Sequence, residues 1–336
     1  MISEEKQTPN FAPLRLCARY VPLINKVDAS GCRTTKIGAI AQTRSTVRGS
    51  RVSDFIALTK PEITFLVLLA TAVGCVMGSA SVNLVSLFHA LFGTALVASG
   101  AAALNNYLER GHDAKMRRTA NRPLPAGRLT PREALYFGTG LSLTGTLYLA
   151  VTANLLTSLI GVSALLGYLF LYTPLKRRTR LCTLIGAFPG AAPVLMGWSS
   201  MQWGLAPQAW LLYATLFLWQ FPHFLAIAWL YREDYARAGM LMLPDEPNKS
   251  DSTFRQMWVS SLALIMATIV PGLIAMTGKI YLYGAVLLGL GLLFFVYRAT
   301  SVRSKDAARQ LLHATVIYLP VLYLVMILDK AASRIG

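Results

Sequence analysis

The chain has 336 residues, of which 54% are hydrophobic and only 14% are charged, and its mean hydropathy is +0.49. These values exclude an ordinary soluble domain and predict a polytopic membrane protein, because several apolar runs reach the length of about 20 residues that crosses a bilayer. The formal net charge of +17 does not indicate nucleic-acid binding, since the basic residues lie in short segments between apolar runs. The four cysteines lack the spacing of a disulfide framework or a metal site.

Residues 1–53 are basic and polar, and they contain no apolar segment that would serve as a secretory signal. We expect a disordered arm here, followed by a single transmembrane domain over residues 54–336. The apolar runs of that domain predict an all-α bundle of about nine transmembrane helices. The predicted spans are 56–79, 85–105, 134–152, 154–172, 182–201, 209–230, 257–277, 280–298 and 311–328.

Lysine and arginine are distributed unevenly between the predicted loops. All of them fall on one side of the bundle except Lys279, Lys330 and Arg334. Because basic loops stay in the cytoplasm, this pattern predicts a cytoplasmic amino terminus and a carboxyl terminus on the outside.

The most concentrated polar segment, NNYLERGHDAKMRRTANRP, begins at Asn105. Asn105, Glu109 and Asp113 recur at intervals of four, so they would share one face of a helix. An amide and two carboxylates followed by Lys and Arg residues suit a Mg²⁺-bridged phosphate group, and a diphosphate is the expected ligand. Taken alone, the segment also fits a solvated helix end with intrahelical ion pairs.

Three other polar segments are predicted on the same side of the membrane as this motif. They are LTKPEI (58–63) before the first span, YTPLKRRTR (172–180) after the fourth, and WQFPHFLAIAWLYREDYARAGMLMLP (219–244) at the end of the sixth. Polar residues from four parts of the chain are therefore expected at one end of the bundle.

These four segments carry a resemblance to the intramembrane aromatic prenyltransferases and, within them, to the protoheme IX farnesyltransferase (haem O synthase) family. The broad family pattern N-x-x-x-D/E-x-x-x-D is matched by Asn105, Glu109 and Asp113. The narrower pattern W-Q-x-P-H-F, followed by D-Y-x-x-A-G-x-x-M-L-P, is matched within 219–244. The resemblance covers about residues 54–328.

The resemblance implies roles for particular side chains in metal and diphosphate binding. The expected Mg²⁺ ligands, which also take part in catalysis, are Asn105, Glu109, Asp113 and Asp234. The expected contacts to the diphosphate or to a developing carbocation are Arg118, Arg122, Lys176, Tyr172 and Tyr231. Alternatives remain for three of these residues: Asp234 would pair with Arg232 or Arg237, and the two tyrosines would anchor the chain at the membrane interface.

His223 is the residue most specific to the haem branch of the resemblance. It follows Pro222 inside a predicted span, where a neutral imidazole can ligate iron or accept a proton. We expect His223 to contact haem or to act in catalysis. The alternative is that it satisfies a backbone carbonyl released by the proline.

The resemblance implies transfer of the farnesyl group of farnesyl diphosphate to a vinyl group of haem B, giving haem O and diphosphate in haem A/O biosynthesis for terminal oxidases. Mg²⁺ is the expected cofactor and haem B a substrate. The lipid bilayer and either haem A synthase or terminal oxidase assembly factors are the expected partners, in a bacterial plasma membrane or else the mitochondrial inner membrane. The alternatives are a prenyltransferase for a quinone or chlorophyll precursor, and a secondary transporter.

Overall fold

The computed structural model describes residues 50–241 and 250–332. Within these ranges the chain is all-helical, as predicted, and no strand is present. The predicted arm over 1–53 lies outside the described residues except for its last four. The first described helix, α1 (Arg51–Leu58), begins inside that arm.

Nine helical stretches of the described residues are long and apolar enough to cross a membrane, which confirms the predicted number of spans. The fourth stretch combines a helix over Leu155–Leu166, a π-helical turn (Gly167–Tyr172) and a short helix over Thr173–Leu175. The helices that follow α1 are α2 (Pro61–Gly78), α3 (Leu84–Asp113), α4 (Pro131–Thr152), α5 (Leu155–Leu166), α6 (Thr173–Leu175), α7 (Cys182–Met201), α8 (Pro207–Leu230), α9 (Arg232–Arg237), α10 (Ser250–Leu273), α11 (Lys279–Val302) and α12 (Lys305–Ala332).

The predicted start of the first span, at residue 56, is wrong. Residues 56–58 belong to α1, and the span begins only at Pro61. The break falls at Lys60, whose φ of 49° is left-handed. A residue before proline is disfavoured in the right-handed helical region, and proline itself is well suited to the first position of a new helix. The break places Lys60 between two helices at the polar end of the bundle.

Helix α3 is two turns longer than its predicted span of 85–105, because it continues to Asp113. Hydropathy alone ends the span at the first polar residue, whereas the backbone continues as helix through the whole polar motif. The extension keeps Asn105, Glu109 and Asp113 on one continuous helix.

The fourth span ends in the π-helical turn and α6 instead of a regular α-helix. Such π-helical turns are rare in proteins, and those that occur are frequently located at functional sites. Thr173 follows this turn directly, and its hydroxyl donates a hydrogen bond of 2.9 Å to the carbonyl of Tyr168. The same hydroxyl accepts one of 3.2 Å from Nδ2 of Asn105, so the turn is joined to the polar face of α3.

Helix α7 is the most enclosed span, with 72% of its apolar stretch buried in the bundle against 28–56% for the others. It lies very close to α2. A Cβ atom added at Gly74 would be 2.2 Å from the carbonyl oxygen of Val194, and one at Gly197 would be 2.0 Å from that of Thr71. Small residues permit this close approach, as is common between membrane helices.

Candidate active site

The polar face of α3 lies inside the bundle. Asn105, Glu109 and Asp113 are only 1%, 7% and 1% exposed, and all three line a single cavity of about 440 Å³. Four-residue spacing therefore gathers the three side chains as predicted. Their burial removes the alternative of a solvated helix end, because ionisable groups at this depth need partners or a ligand.

Each of the three side chains accepts a hydrogen bond from one cation, and the cations come from three different segments. The bonds are 2.8 Å each and run from Lys60 Nζ to Asn105 Oδ1, from Lys176 Nζ to Glu109 Oε1 and from Arg122 Nη1 to Asp113 Oδ2. The two carboxylates are thereby neutralised within the cavity wall. Lys60 was not predicted as a site residue; it is also a lining residue of the cavity.

Arg122 is held in place by the segment that follows α3. Its Nη1 also donates a hydrogen bond of 3.3 Å to Oδ1 of Asn106. The hydroxyl of Thr119 donates a bond of 2.8 Å to the backbone carbonyl of Asp113, which closes the turns after α3 against its last residue. The guanidinium is therefore fixed over the end of the helix.

The two lysines of the site experience opposite electrostatic environments. Burial, followed by repulsion from Arg122, lowers the pKa of Lys60 to about 7. Burial alone would also lower the pKa of Lys176, but the carboxylate of Glu109 outweighs it and raises that pKa above its ordinary value. The site contains more cations than carboxylates, and the positive charge of Lys60 is less stabilised than that of Lys176.

Tyr172 and Tyr231 occupy different positions, although both were predicted to contact the diphosphate or a developing carbocation. Tyr172 is 8% exposed, lines the cavity and lies beneath Lys176, whose Nζ is 4.5 Å from its ring centroid. Tyr231 is not among the described lining residues and instead lies beneath Arg118, at 5.1 Å. Tyr231 therefore positions a cation, while the ring of Tyr172 borders the cavity itself.

Asp234 is not gathered with the carboxylates of α3. One of its oxygens accepts a hydrogen bond of 3.4 Å from the backbone N–H of Arg118, and the other pairs with Arg237. It is absent from the described lining residues, and no group of three or more His, Cys, Asp or Glu side chains in the described chain is arranged to hold a metal ion. The pairing with Arg237 is the alternative that the sequence offered.

The chemistry of the donor set on α3 nevertheless fits Mg²⁺. One amide oxygen and two carboxylates are hard oxygen ligands, and the three project into one cavity from successive turns. Their present partners are cations with a strong preference for phosphate oxygens. A Mg²⁺-bound phosphate ester would therefore provide new partners for both sets of groups.

The rest of the cavity is mostly apolar, and His223 lies in that part. Its ring stacks on Trp219 at a centroid distance of 4.6 Å, and both line the cavity. Its Nδ1 is 2.9 Å from the hydroxyl of Thr315 on α12. Within the described part of the chain, His223 therefore bonds this side-chain hydroxyl and not a carbonyl released by Pro222.

Sequence reasoning missed two lining residues in particular, Lys60 and Tyr168. Lys60 belongs to the LTKPEI segment that carries the resemblance, but it was not assigned to the site, although its position directly before Pro61 marks a helix break. The signal for Tyr168 is its four-residue spacing from Tyr172, which places both rings on one helix face; the ring centroids are 5.5 Å apart.

An apolar cavity thus ends at an amide, two carboxylates and the four cations Lys60, Arg118, Arg122 and Lys176. The fold and this site define a multi-pass membrane protein with an internal site for an amphipathic anion. The chain belongs to the UbiA prenyltransferase family, whose model matches residues 66–319.

Comparison with individual proteins agrees with this assignment. A protoheme IX farnesyltransferase of Solibacter usitatus (strain Ellin6076) is 47% identical, and the match covers 82% of this chain and 98% of that protein. The corresponding protein of Koribacter versatilis (strain Ellin345) is 41% identical over 84% of this chain and 94% of its own length. The fold is shared with a UbiA homologue from Archaeoglobus fulgidus bound to DMAPP and Mg²⁺, which is 14% identical, with a TM-score of 0.61 over 81% of this chain and 99% of that one.

Proposed function

We propose that this chain is a protoheme IX farnesyltransferase, which transfers the farnesyl group of farnesyl diphosphate to a vinyl group of haem B and so forms haem O. The observation that carries the proposal is the single cavity, which joins the charged face of α3 to an apolar chamber containing His223. Relatives that are up to 47% identical over most of their length are named protoheme IX farnesyltransferases, and this supports the same reaction.

The charged end of the cavity binds the leaving group. We assign the oxygens of Asn105, Glu109 and Asp113 to Mg²⁺, which when bound acts as a Lewis acid on the diphosphate. Lys60, Lys176 and Arg122 then exchange their present partners for phosphate oxygens, with Arg118 as a further contact. Preorganised cations stabilise the negative charge that develops as the allylic C–O bond breaks.

The apolar part of the cavity holds the farnesyl chain and the porphyrin. Its walls include Val97, Leu165, Met196 and Leu319, which exclude water from the substrates until the new bond has formed. Both substrates are largely apolar, so an internal chamber in a membrane bundle can receive them without exposing them to water.

The reaction consumes one water molecule and releases one proton. The bond between C1 of the farnesyl group and the diphosphate oxygen breaks, and the electron pair leaves with diphosphate. The π electrons of the vinyl group form the new carbon–carbon bond. The carbocation left beside the porphyrin ring is captured by water, which loses a proton to give the hydroxyethylfarnesyl side chain. The ring face of Tyr172 borders this region and can stabilise positive charge.

The membrane bundle and the bacterial origin of the named relatives support the cellular setting that we propose. The protein is a multi-pass membrane protein, and we place it in a bacterial plasma membrane with its amino terminus in the cytoplasm. We treat 54–336 as one catalytic domain. Haem A synthase or assembly factors of a terminal oxidase are the partners that we propose, since they would receive haem O.

The test is to incubate membranes containing the protein with haem B, labelled farnesyl diphosphate and Mg²⁺, and to analyse the extracted pigments. Formation of labelled haem O in proportion to the protein supports the proposal. Unmodified haem together with a prenylated quinone or chlorophyll precursor would refute it, and so would transport of substrate without any new pigment.

A further inference from the structure

The apolar part of the cavity contains two aromatic side chains that are fixed from a neighbouring helix. Trp219 and His223 lie one turn apart on α8, and their rings are stacked with an interplanar angle of 20°. Both are anchored to Thr315 of α12. Nε1 of Trp219 donates a hydrogen bond of 2.8 Å to the backbone carbonyl of Thr315, and Nδ1 of His223 is 2.9 Å from its hydroxyl.

The hydroxyl of Thr315 can donate only one proton. That proton is donated to the backbone carbonyl of Leu312, at 2.7 Å. The hydroxyl therefore acts as the acceptor toward His223, and Nδ1 of the ring must carry the hydrogen. In a neutral imidazole the remaining nitrogen, Nε2, then has an unshared electron pair.

We infer that Thr315 is a positioning residue that holds His223 as the Nδ1-protonated tautomer, with Nε2 directed to the iron of the haem substrate as its axial ligand. This inference rests on the proposed function. Thr315 is itself fully buried and is not a described lining residue of the cavity, so it acts through His223 and does not touch the substrate.

Two physical arguments support iron as the partner of Nε2. Histidine nitrogen is a common axial ligand of haem iron, and a hydrogen bond from the other ring nitrogen is the usual means of fixing the tautomer and orientation of a metal-binding histidine. The stacking of Trp219 on the same ring restricts its rotation. Ligation at His223 would hold the porphyrin while the farnesyl diphosphate is held at the α3 end.

The test uses the full-length protein in detergent micelles or nanodiscs, titrated with haem B and followed by absorption spectroscopy. The wild type is expected to show a nitrogen-ligated haem spectrum, which His223→Ala removes and added imidazole restores. Thr315→Val, which keeps the side-chain shape, is expected to weaken haem binding roughly 10- to 100-fold, whereas Thr315→Ser retains it. The KM for farnesyl diphosphate should remain unchanged in Thr315→Val and Thr315→Ser.

The matched control is Thr215→Val. Thr215 is also fully buried, lies on α8 and bonds only the carbonyl of Leu211 among the described residues. If Thr315→Val binds haem as tightly and with the same spectrum as Thr215→Val, the inference is overturned.

The test also separates this inference from the proposed function. Should Thr315→Val fail to fold, the comparison of wild type with His223→Ala still decides, because an unchanged haem spectrum in His223→Ala overturns the inference. A wild-type protein that makes haem O without a nitrogen-ligated spectrum refutes only the inference. One that binds haem through His223 and makes no haem O refutes only the proposed function.

Discussion

Replacing Lys176 by methionine tests whether the ion pair with Glu109 supports both the fold and the reaction. The two side chains are only 12% and 9% exposed and are joined by a bond of 2.8 Å. Removing one partner of a buried pair leaves the other charge without compensation, which costs roughly 3–5 kcal/mol. Because both groups border the cavity and water can reach them, we expect the lower end of this range, about 3 kcal/mol.

The catalytic effect should be separable from this loss of stability. In Lys176→Met/Glu109→Gln the uncompensated carboxylate is absent, so most of the lost stability should return, as for neutral replacements of buried ion pairs. Turnover should not return, because one cation of the leaving-group site is still missing. The expected loss is roughly 10²- to 10³-fold in kcat, the scale of removing one preorganised donor from developing negative charge.

The assay combines thermal unfolding of the purified protein with haem O formation from labelled farnesyl diphosphate. Arg178→Gln is the control, since it removes one positive charge from the same loop at an exposed position. We expect the turnover of Lys176→Met to be roughly a hundredfold lower than that of Arg178→Gln. If the two turnover numbers lay within about threefold of each other, the assignment of Lys176 to the leaving group would be refuted. A double variant no more stable than Lys176→Met would refute the electrostatic argument for the fold.

Three further predictions concern the metal and the packing. Asp113→Asn should lower turnover roughly 100-fold at ordinary Mg²⁺ concentration, and full turnover would show that Asp113 is not a metal ligand. Chelation of divalent cations should stop haem O formation, and added Mg²⁺ should restore it. Haem binding, measured by absorption, should stay constant throughout. If chelation lowered haem binding together with turnover, a metal confined to the α3 site would be contradicted. Gly74→Ala should lower the free energy of unfolding by about 1–3 kcal/mol because its Cβ would overlap the carbonyl of Val194. Gly140→Ala has open space and should be neutral or stabilising, so equal thermal shifts for the two glycines would contradict the close approach of α2 and α7.

The sequence predicts the parts of this structure that depend on local periodicity. Membrane-length apolar runs predict nine spans, and four-residue spacing predicts the shared face of Asn105, Glu109 and Asp113. It does not predict how those oxygens are paired, because their partners come from the α1–α2 break and from the segments after α3 and α6. Lys60 was missed for this reason. Asp234 was assigned to the metal from its position at the end of α8, but nearby Arg237 competes for the same carboxylate.

The cation pairs also explain how a membrane bundle can hold this site before substrate binds. Two buried carboxylates facing an apolar cavity would be costly if they were unpaired. Lys176 and Arg122 neutralise them. Lys60 adds further positive charge, and its pKa is lowered by burial and then by repulsion from Arg122. In the proposed function, an incoming Mg²⁺–diphosphate carries net negative charge, so it would relieve that excess of positive charge and provide each cation with a new oxygen partner. Binding would then be an exchange of partners among groups already in position, and the choice of acceptor would fall to the apolar wall formed by α8 and α12.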